Sequence, residues 1–531
     1  MANHNTIPFQ QTGYFSKIIC DYLDKASILT DYYHNFPDLN GFKAQIALKS
    51  KSFSSDARSI LVASLQNQYH GFEISELTKA NLSLLKQSHT FTVTTGHQLN
   101  LFTGPLYFLY KIVSAINLAD RLKEAFPESN FVPVYWMATE DHDFEEIQYF
   151  NFEGKKINWD RDAKGAVGKL STSGLDKVFE KFAYELGQNI HAEKLKTLFQ
   201  EAYLKHDNLS DATRYLANAL FGKRGLIIID GDDQQLKNQF VPYAKTELVE
   251  HTCFKEVNKT VEKLALHYKI QVNPREINLF YLDDNLRERI VYEDGFYKVL
   301  NTDKVFTEEE ILKELEMMPQ KFSPNVLLRP LYQEVVLPNL CYIGGGGELA
   351  YWFELKSFFE SQQVPLPILL LRNSVLLHTE KQVKKMEKLN VSMREMFKKQ
   401  NELIADKVRS VSEIPIDFSS QRSYLKQMFK ELEVLSDKTD RSFLGAVKAQ
   451  EKKQLNGIDQ LEKRLLKAQK RKFHEITERI SVLQDALFPK QSLQERQANF
   501  SEFYKAYGDD LIENLIESLD PLKLEFDLIT M

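Results

Sequence analysis

Cysteine is scarce in this sequence: the 531 residues contain only Cys20, Cys253 and Cys341, and no two of them stand close together. Zinc sites and disulfide frameworks need paired spacings, so we expect neither in this protein. Neither zinc nor flavin is expected as a cofactor. Cys341 lies inside an apolar run, which predicts a buried structural thiol.

Long apolar segments and an excess of basic residues are also missing. Runs such as Pro365–Leu371 are far too short to cross a bilayer, so no membrane association is expected. The N-terminal stretch MANHNTIPFQQTGYF lacks the basic-then-apolar layout of a secretory signal, which favours a cytoplasmic location. A net charge of −6 and a pI near 6.1 argue against nucleic acid as a partner.

Glycine and proline almost vanish after residue 375, where Lys, Glu, Gln and Leu dominate. From Leu455 to Leu487, apolar residues recur at spacings of three and four with one slip, which predicts a coiled-coil seam. Apolar positions between Val383 and Leu403 predict a partner helix that runs the other way. We therefore expect an antiparallel coiled-coil arm, and a homodimer formed through it.

Before residue 375, strand-like apolar runs alternate with helical stretches, which favours an α/β fold with a mainly parallel sheet. The predicted strands are Phe91–Thr95, Phe131–Ala138, Gly225–Asp230, Asn339–Ile343 and Ile368–Leu371. The gaps between the second, third and fourth of these are too long for single crossovers, so they are expected to hold inserted segments.

This pattern divides the chain into predicted segments. Residues 1–90 are expected to be a helical segment packed on the core, and 495–531 a C-terminal helix and tail. The remaining segments are a core built from 91–149, 221–250 and 326–375, insertions at 150–220 and 251–325, and the arm at 376–494.

The second predicted strand ends in a cluster of ionisable residues, Glu140, Asp141, His142 and Asp143. Ligands bind at the carboxyl ends of strands in open α/β sheets, and unpaired buried charge is costly, so the cluster is a candidate catalytic site. The three carboxylates suit Mg²⁺ or an ammonium group, and His142 suits a general base. The alternatives are a structural, hydrogen-bonded histidine, or a loop of solvated charges with a helix N-cap.

A similar junction follows the first predicted strand, where His97 and Gln98 precede a helix that opens at Thr103-Gly104-Pro105. Thr103 can accept a backbone N–H as a cap, and the free amides of Thr103 and Gly104 could hold an anion such as phosphate. Lys111 either bends back toward this site or is an exposed helix lysine.

The third junction carries four consecutive glycines, followed by a glutamate. Gly344, Gly345, Gly346 and Gly347 would permit close approach of a ligand or a positive φ, and Glu348 could cap its helix or bind sugar hydroxyls. Upstream, Arg329 and Gln333 are candidate binding residues, with Arg329 either clamping a carboxylate or pairing with Glu334. Arg372 and Asn373 end the last strand at the same predicted edge.

No GxxxxGK[ST] phosphate loop and no clean GxGxxG motif is present, so no single short motif assigns a function. However, three longer segments, TGHQLNLFTGPLYFLYK, VPVYWMATEDHDFEEI and LLRPLYQEVVLPNLCYIGGGGELAYWFELK, resemble signature segments of the bacillithiol biosynthesis cysteine-adding enzymes. The resemblance extends over essentially the whole chain. It departs at His97, where the family pattern often has Gln.

This resemblance implies a Rossmann-like core of the kind shared by nucleotidylyl transferases and class I aminoacyl-tRNA synthetases, with connective insertions and a coiled-coil arm. It also implies a cysteine ligase that joins L-cysteine to glucosaminyl malate, with ATP and Mg²⁺. Two alternatives remain open. One is a synthetase-like or nucleotidylyl-transferase-like enzyme, and the other is a non-enzymatic scaffold that only binds a nucleotide.

Overall fold

Apolar, β-branched segments form the strands at the centre of the computed structural model, which describes residues 4–436, 438–439 and 441–531. The chain divides into two units. The first comprises the chain up to residue 10, residues 14–376 and residues 494–529, and the second comprises residues 11–13, 377–493 and 530–531. No helix of the described residues is long and apolar enough to cross a membrane.

The strands are β1 (His4–Ile7), β2 (Thr90–His97), β3 (Asn130–Met137), β4 (Tyr149–Phe152), β5 (Lys155–Asn158), β6 (Ile227–Asp230), β7 (Leu279–Asp283), β8 (Leu286–Glu293), β9 (Phe296–Val299), β10 (Val305–Phe306), β11 (Phe322–Pro324), β12 (Asn339–Gly344), β13 (Ile368–Leu371), β14 (Val375–His378) and β15 (Phe526–Thr530).

The α-helices up to residue 264 are α1 (Lys17–Leu23), α2 (Leu39–Ser52), α3 (Ser55–Gln68), α4 (Glu76–Leu84), α5 (Tyr107–Ala125), α6 (Phe144–Ile147), α7 (Leu175–Leu186), α8 (Ile190–Tyr203), α9 (Leu209–Phe221), α10 (Gln234–Glu250) and α11 (Thr252–Leu264). The later ones are α12 (Glu308–Met317), α13 (Arg329–Val336), α14 (Gly346–Trp352), α15 (Lys356–Ser361), α16 (Glu380–Leu389), α17 (Met393–Met396), α18 (Gln400–Val411), α19 (Ser419–Ser436), α20 (Arg441–Lys472), α21 (His474–Leu487), α22 (Gln494–Gln497), α23 (Phe500–Tyr507) and α24 (Asp510–Ser518).

The central sheet of the first unit has five parallel strands in the spatial order β13-β12-β2-β3-β6. All five had been expected from the apolar runs, and the predicted parallel α/β fold is confirmed. The chain starts this sheet in the middle at β2, adds β3 and β6 on one side, and then crosses to add β12 and β13 on the other. The order therefore reverses between β2 and β12, where open sheets of this kind form a ligand crevice.

The core on one face of this sheet forms because alternate residues of β2, β12 and β13 meet helix α5. This hydrophobic cluster includes Phe91, Val93, Ala115, Leu118, Leu122, Leu340, Cys341, Ile343, Ile368 and Leu370. The Cys341 thiol is fully buried, as expected, and burial raises its pKa well above the ordinary value. Helix α5 buries most of its residues, so it is a central packing element and not a surface amphipathic helix.

The long connections between core strands carry structure of their own. The β4–β5 hairpin and helices α7, α8 and α9 lie between β3 and β6. Between β6 and β12, a five-stranded sheet with the order β10-β9-β8-β7-β11 forms antiparallel pairs. A Rossmann-like core with connective insertions is thus confirmed, while the exact segment boundaries stay a prediction.

In the second unit, α19 and α20 pack along each other as a helical hairpin. Arg422 fixes their antiparallel register through Asp459 at 2.7 Å and Glu462 at 2.6 Å. The coiled coil is confirmed, but the partner helix predicted between Val383 and Leu403 is wrong. That stretch is broken into α16, α17 and α18, because Asn390 ends α16 in the left-handed conformation (φ 49°).

Candidate functional site

A cavity of about 560 Å³ opens at the carboxyl end of β3, where the sequence predicted a site. Its walls come from three stretches of the first unit that are far apart in sequence. They are the end of β3 with Thr139–His142, the segment from Gln271 through Phe280 to Arg287, and the segment Pro324–Arg329. The strand-end cluster therefore faces a space large enough for a small organic ligand.

Glu140 lines this cavity, but its carboxylate forms a short ion pair with the buried ammonium of Lys237. Lys237 also donates to the Phe322 carbonyl at 3.0 Å. Burial raises the pKa of Glu140, and the Lys237 charge opposes that rise. The Glu140 carboxylate is thus committed to a structural partner, Lys237, that no local sequence signal predicts.

Asp141 is an ionised acceptor held at the mouth of the site. Its Oδ2 accepts from Gln98 Nε2 at 2.9 Å, and its Oδ1 accepts from the backbone N–H of His142 at 2.7 Å. Burial alone would raise its pKa, but the hydrogen bonds from Gln98 and from the backbone N–H of His142, together with the charge of Arg287, hold the pKa well below the ordinary value. The structure thus joins Gln98 and Asp141, which the sequence predicted separately.

Asp143 has a local role, because its side chain accepts from the backbone N–H of Glu146 and caps the short helix α6. The three carboxylates predicted for Mg²⁺ therefore do not converge: Glu140 faces Lys237, Asp141 faces Gln98, and Asp143 caps a helix. Among the described residues, no group of three or more His, Cys, Asp or Glu side chains is arranged to hold a metal ion. These residues do not fit a magnesium ion bound by all three carboxylates.

His142 is 51% exposed and lines the cavity. Its Nδ1 lies 2.8 Å from Nη1 of Arg287, a residue of β8. The Arg287 guanidinium stacks over the Phe280 ring at 4.1 Å, and the ring of His142 lies 5.7 Å from the same phenyl group. Arg287 sits in LRERI, an ordinary strand sequence, so no sequence signal marks it as a functional residue.

Two further arginines face the same cavity. Arg275 is exposed, and no described residue supplies its guanidinium with a hydrogen bond or an ion pair. Arg329 donates to Gln333 Oε1 at 3.0 Å and lies over the Tyr342 ring at 5.6 Å. With Arg287, they give the cavity a positive wall in a protein whose net charge is −6. Such a wall suits an anionic ligand.

The predicted pairing of Arg329 with Glu334 is wrong. Glu334 instead forms a buried ion pair with Lys49 of α2 at 3.1 Å, and it also accepts from Gln333 and Asn339. Gln333 is fully buried, so it orders this network and does not meet the cavity directly. Lys49 lies far upstream, and only the packing of α2 brings it here.

At the reversal point of the sheet, His97 is the last residue of β2 and is buried against Tyr107 and Phe108. Burial, together with the positive charge of Lys111, lowers the pKa of His97 to about 3. His97 is therefore neutral at physiological pH. Its Nε2 has no hydrogen-bond partner among the described residues.

Lys111 is buried, which excludes the alternative of an exposed helix lysine. Its Nζ donates to the Gly96 carbonyl at 2.6 Å and to Glu348 at 2.6 Å. Burial would raise the pKa of Glu348, but Lys111 outweighs it and lowers that pKa to about 2. Glu348 also accepts from Tyr342 at 2.6 Å and from the Gly345 N–H at 3.1 Å, so it caps its helix as predicted.

None of the four glycines in the run has a positive φ, so the backbone does not require glycine for its angles. What the glycines provide is the space left by their missing side chains. Gly344 ends β12, and Gly346 and Gly347 begin α14. A Cβ on Gly345 would lie 3.4 Å from Glu348 Oε1 and 3.8 Å from Arg372 Nε. Of the two predicted uses of glycine, this geometry allows the close approach of a ligand and not the positive φ.

Thr103 does not cap the following helix, contrary to the prediction. Phe102 and Thr103 have positive φ values of 46° and 68°, and the helix begins only at Tyr107, without a side-chain cap. The Thr103 hydroxyl is buried and has no partner in the described part of the chain. Gly104, also at positive φ, packs against Asn100, where a Cβ would lie 2.5 Å from the Asn100 Cβ.

The end of β13 is structural. Arg372 forms a bidentate pair with Glu495 at 2.8 and 3.0 Å and stacks on the Tyr107 ring. Asn373 donates to Asp527 at 3.0 Å and accepts from Ser114 at 2.9 Å. Both side chains are buried and tie the C-terminal segment to the core, so neither is free to bind a ligand as placed here.

The sheet order, the structured connections and the helical hairpin define a Rossmann-like α/β protein with a coiled-coil domain. Residues 2–373 match the N-terminal Rossmann-like domain of bacillithiol biosynthesis BshC, and residues 375–531 match its C-terminal coiled-coil domain. The chain therefore belongs to the BshC family of bacillithiol biosynthesis, which confirms the resemblance found in the sequence.

Relatives from two bacteria, each named "Putative cysteine ligase BshC", match over almost the whole chain. The one from Christiangramia forsetii is 57% identical and covers 99% of both chains. The one from Flavobacterium johnsoniae is 56% identical, again over 99% of both. A crystal structure of a putative arginyl-tRNA synthetase from Campylobacter jejuni aligns with 84% of this chain and 97% of its own, at 12% identity and a TM-score of 0.22.

Proposed function

We propose that this protein is a cytoplasmic, ATP-dependent ligase that joins L-cysteine to glucosaminyl malate in bacillithiol biosynthesis. The observation that carries the proposal is the positively lined cavity at the end of β3, beside the reversal point of the sheet. The names of the relatives and the family support the choice of cysteine as substrate and of bacillithiol as the pathway.

Amide formation needs an activated carboxyl group. ATP supplies it when a carboxylate oxygen attacks phosphorus, with ADP or pyrophosphate as the leaving group. The amine of the acceptor then attacks the acyl carbon, phosphate or AMP leaves, and one proton is released from nitrogen. The protein must therefore hold a nucleotide, a carboxylate substrate and an amine close together and shielded from water.

We place the nucleotide at the crevice between β2 and β12, where sheets with this order bind such ligands. The glycine run there lets phosphate oxygens approach the backbone, while Lys111 is held by Glu348 and the Gly96 carbonyl and orders this edge of the sheet. Gly347 is exposed, and a Cβ on it would meet no atom within 4 Å. Mg²⁺ is expected to arrive bound to the ATP phosphates, since it is commonly held by phosphates, waters and few protein carboxylates.

We place the anionic part of the acceptor in the cavity at β3. Malate carries carboxylates, and guanidinium groups bind carboxylates through paired hydrogen bonds. Arg275 and Arg329 have no carboxylate partner in the described residues and face this space. Gly96 lies between the crevice and the cavity. A Cβ on Gly96 would lie 3.3 Å from Tyr342 Oη and 3.9 Å from Arg329 Nη1.

The test is to incubate the pure full-length protein with glucosaminyl malate, L-cysteine, ATP and Mg²⁺, and to follow products by mass spectrometry. A cysteine–glucosaminyl malate amide formed only with ATP supports the proposal, and ADP or AMP identifies the activation step. Absence of the amide overturns it. Nucleotide binding without turnover would then favour a scaffold, and cysteine transfer to RNA would favour a synthetase-like enzyme.

A pair of arginine variants makes this test specific to the cavity. Arg275→Gln should raise the KM for glucosaminyl malate roughly tenfold to a hundredfold, since a hydrogen bond to a charged group contributes about 1.5–3 kcal/mol. Arg121→Gln is the matched control, because Arg121 is exposed on α5 and, among the described residues, forms an ion pair with Glu124 alone. If both variants have the same KM for glucosaminyl malate, the acceptor does not bind in this cavity.

We also propose that two copies associate through the coiled-coil arm. In the predicted seam, Leu461 is 57% exposed, and Leu455, Ile458 and Leu465 are only partly covered within the second unit. A seam of leucines left half open is typical of helices that pair with another chain.

A further inference from the structure

The contact between Arg287 and His142 fixes where the imidazole proton can be. Arginine is always protonated in proteins, and all of its nitrogens are donors. At 2.8 Å from Arg287 Nη1, the Nδ1 atom of His142 must therefore be the acceptor. A neutral imidazole carries one proton, so in this arrangement that proton is on Nε2.

Asp141 is the competing partner for the same nitrogen. Its Oδ1 lies 3.5 Å from His142 Nδ1, which is beyond the usual distance for an N–H···O hydrogen bond. That oxygen already accepts from the backbone N–H of His142 at 2.7 Å. The contact with Arg287 is shorter than the contact with Asp141, so it determines which ring nitrogen of His142 carries the proton.

Arg287 does not rest on this contact alone. Its guanidinium stacks on Phe280, its Nε lies 3.4 Å from Ser323 Oγ, and its Nη2 lies 3.4 Å from the Pro324 carbonyl. These groups belong to the antiparallel sheet between β6 and β12 and to its last strand. The inserted sheet thus holds Arg287 in place against the histidine of the core.

We propose that Arg287 is a positioning residue that keeps neutral His142 as its Nε2–H tautomer, and that His142 donates a hydrogen bond to an anionic oxygen of the substrate. As placed here, Nε2–H is the only ring group left for a ligand, because Nδ1 is occupied. A general base needs a free lone pair, so this geometry opposes the base role that the sequence predicted. The tautomer stands on its own, while the identity of the bound oxygen rests on the proposed ligase function.

The neighbours of His142 favour an oxygen anion as its partner. Arg275 and Arg329 line the same cavity, and of its two acidic lining residues Glu140 is neutralised by Lys237 and Asp141 accepts from Gln98 and the His142 backbone. Carboxylate and developing acyl oxygens both occur in amide formation. The kinetic experiment below separates them, because a carboxylate contact is present in the ground state and a developing oxyanion is not.

The tautomer is tested without any activity. The full-length protein is labelled with ¹⁵N in its histidine rings, and His142 is assigned by the signal lost in His142→Gln. At pH 8 the wild type should show an unprotonated Nδ1 and a protonated Nε2. Arg287→Leu, and as a second variant Arg287→Met, remove every side-chain donor at this position and should shift signal intensity toward the Nδ1–H tautomer, which can donate to Asp141. A wild-type proton on Nδ1 would overturn the proposal.

The donor role is tested with two amides that mimic different ring nitrogens. The amide nitrogen of Gln can take the place of Nε2, and that of Asn the place of Nδ1. His142→Gln should keep the rate within about tenfold, while His142→Asn should lose roughly 10²–10³-fold, as for removal of one oxyanion donor. The loss falls on kcat if the oxygen is the developing oxyanion, and on KM if it is a substrate carboxylate.

Other outcomes refute the donor role. If His142 is a base, both variants lose roughly 10²–10⁴-fold. If both keep the wild-type rate, His142 takes no part in the reaction. A wild type without ligase activity would refute the proposed function, and the ring spectra would still decide the tautomer.

Discussion

Glu354 is a buried carboxylate that no cation pairs with in the described part of the chain, and replacing it with Gln should change how stability depends on pH. The residue is 1% exposed and follows α14. Its Oε1 accepts from the backbone N–H groups of Gln271 at 3.2 Å and Val272 at 3.5 Å, while its Oε2 is buried without a partner among the described residues. Gln271 and Val272 line the cavity, so this carboxylate supports one wall of the site.

Burial raises the pKa of Glu354 from 4.5 to about 7, because the two backbone donors offset only part of the desolvation. Between these two values the folded protein keeps a proton that the unfolded chain has released. Stability therefore falls as pH rises through this window, and the loss is complete above pH 7. A rise in pKa of this size corresponds to about 3 kcal/mol in the free energy of unfolding.

Gln cannot ionise, so Glu354→Gln removes this pH dependence. Its amide nitrogen takes the place of an unpartnered oxygen and adds a constant penalty of about 1–3 kcal/mol. The quantity to compare is therefore the change between pH 5 and pH 8, which the penalty does not affect. Relative to wild type, the variant should gain about 2–3 kcal/mol in free energy of unfolding over this range.

Urea unfolding of the first unit, followed by intrinsic Trp fluorescence at pH 5, 6, 7 and 8, measures this difference. Glu360→Gln on the neighbouring helix α15 is the matched control, since Glu360 is exposed. The control should follow the wild type at every pH. If Glu354→Gln and Glu360→Gln behave alike, Glu354 is either solvated or paired, and the desolvation argument is refuted.

Three further predictions concern single contacts. Lys49→Met should destabilise the first unit by about 3–5 kcal/mol in urea unfolding, because it leaves Glu334 buried without its partner, while Lys43→Met on the exposed face of α2 should have little effect. Asp141→Asn should leave the fold intact and remove most ligase activity at pH 7 in the mass-spectrometric assay; unchanged turnover would make the residue structural. Leu465→Lys should convert a dimer to a monomer in light scattering at micromolar concentration, and a monomeric wild type would refute dimerisation through the arm.

Local patterns along the chain were enough to predict the core strands and to locate a candidate site at their carboxyl ends. Each predicted strand is an apolar or β-branched run of four to eight residues, and each such run ends at an abrupt change to polar residues or glycine. These are local signals, since a buried strand must be apolar along its length. The seam of the coiled coil was equally local, because three-and-four spacing is a property of one helix.

Contacts between residues far apart in sequence could be found only from the tertiary structure. Arg287, Arg275 and Lys237 carry no signal in their own segments, and they reach the site because the inserted sheet and α10 fold back onto the end of β3. Helix α2 supplies Lys49 to Glu334 in the same way, which leaves Arg329 on the cavity wall, bonded to Gln333 and without a carboxylate partner among the described residues. The chemical state of His142 follows from one such contact. Spacing along the chain cannot predict this tautomer, because Arg287, the donor that determines it, lies in β8 of the inserted sheet and His142 follows β3.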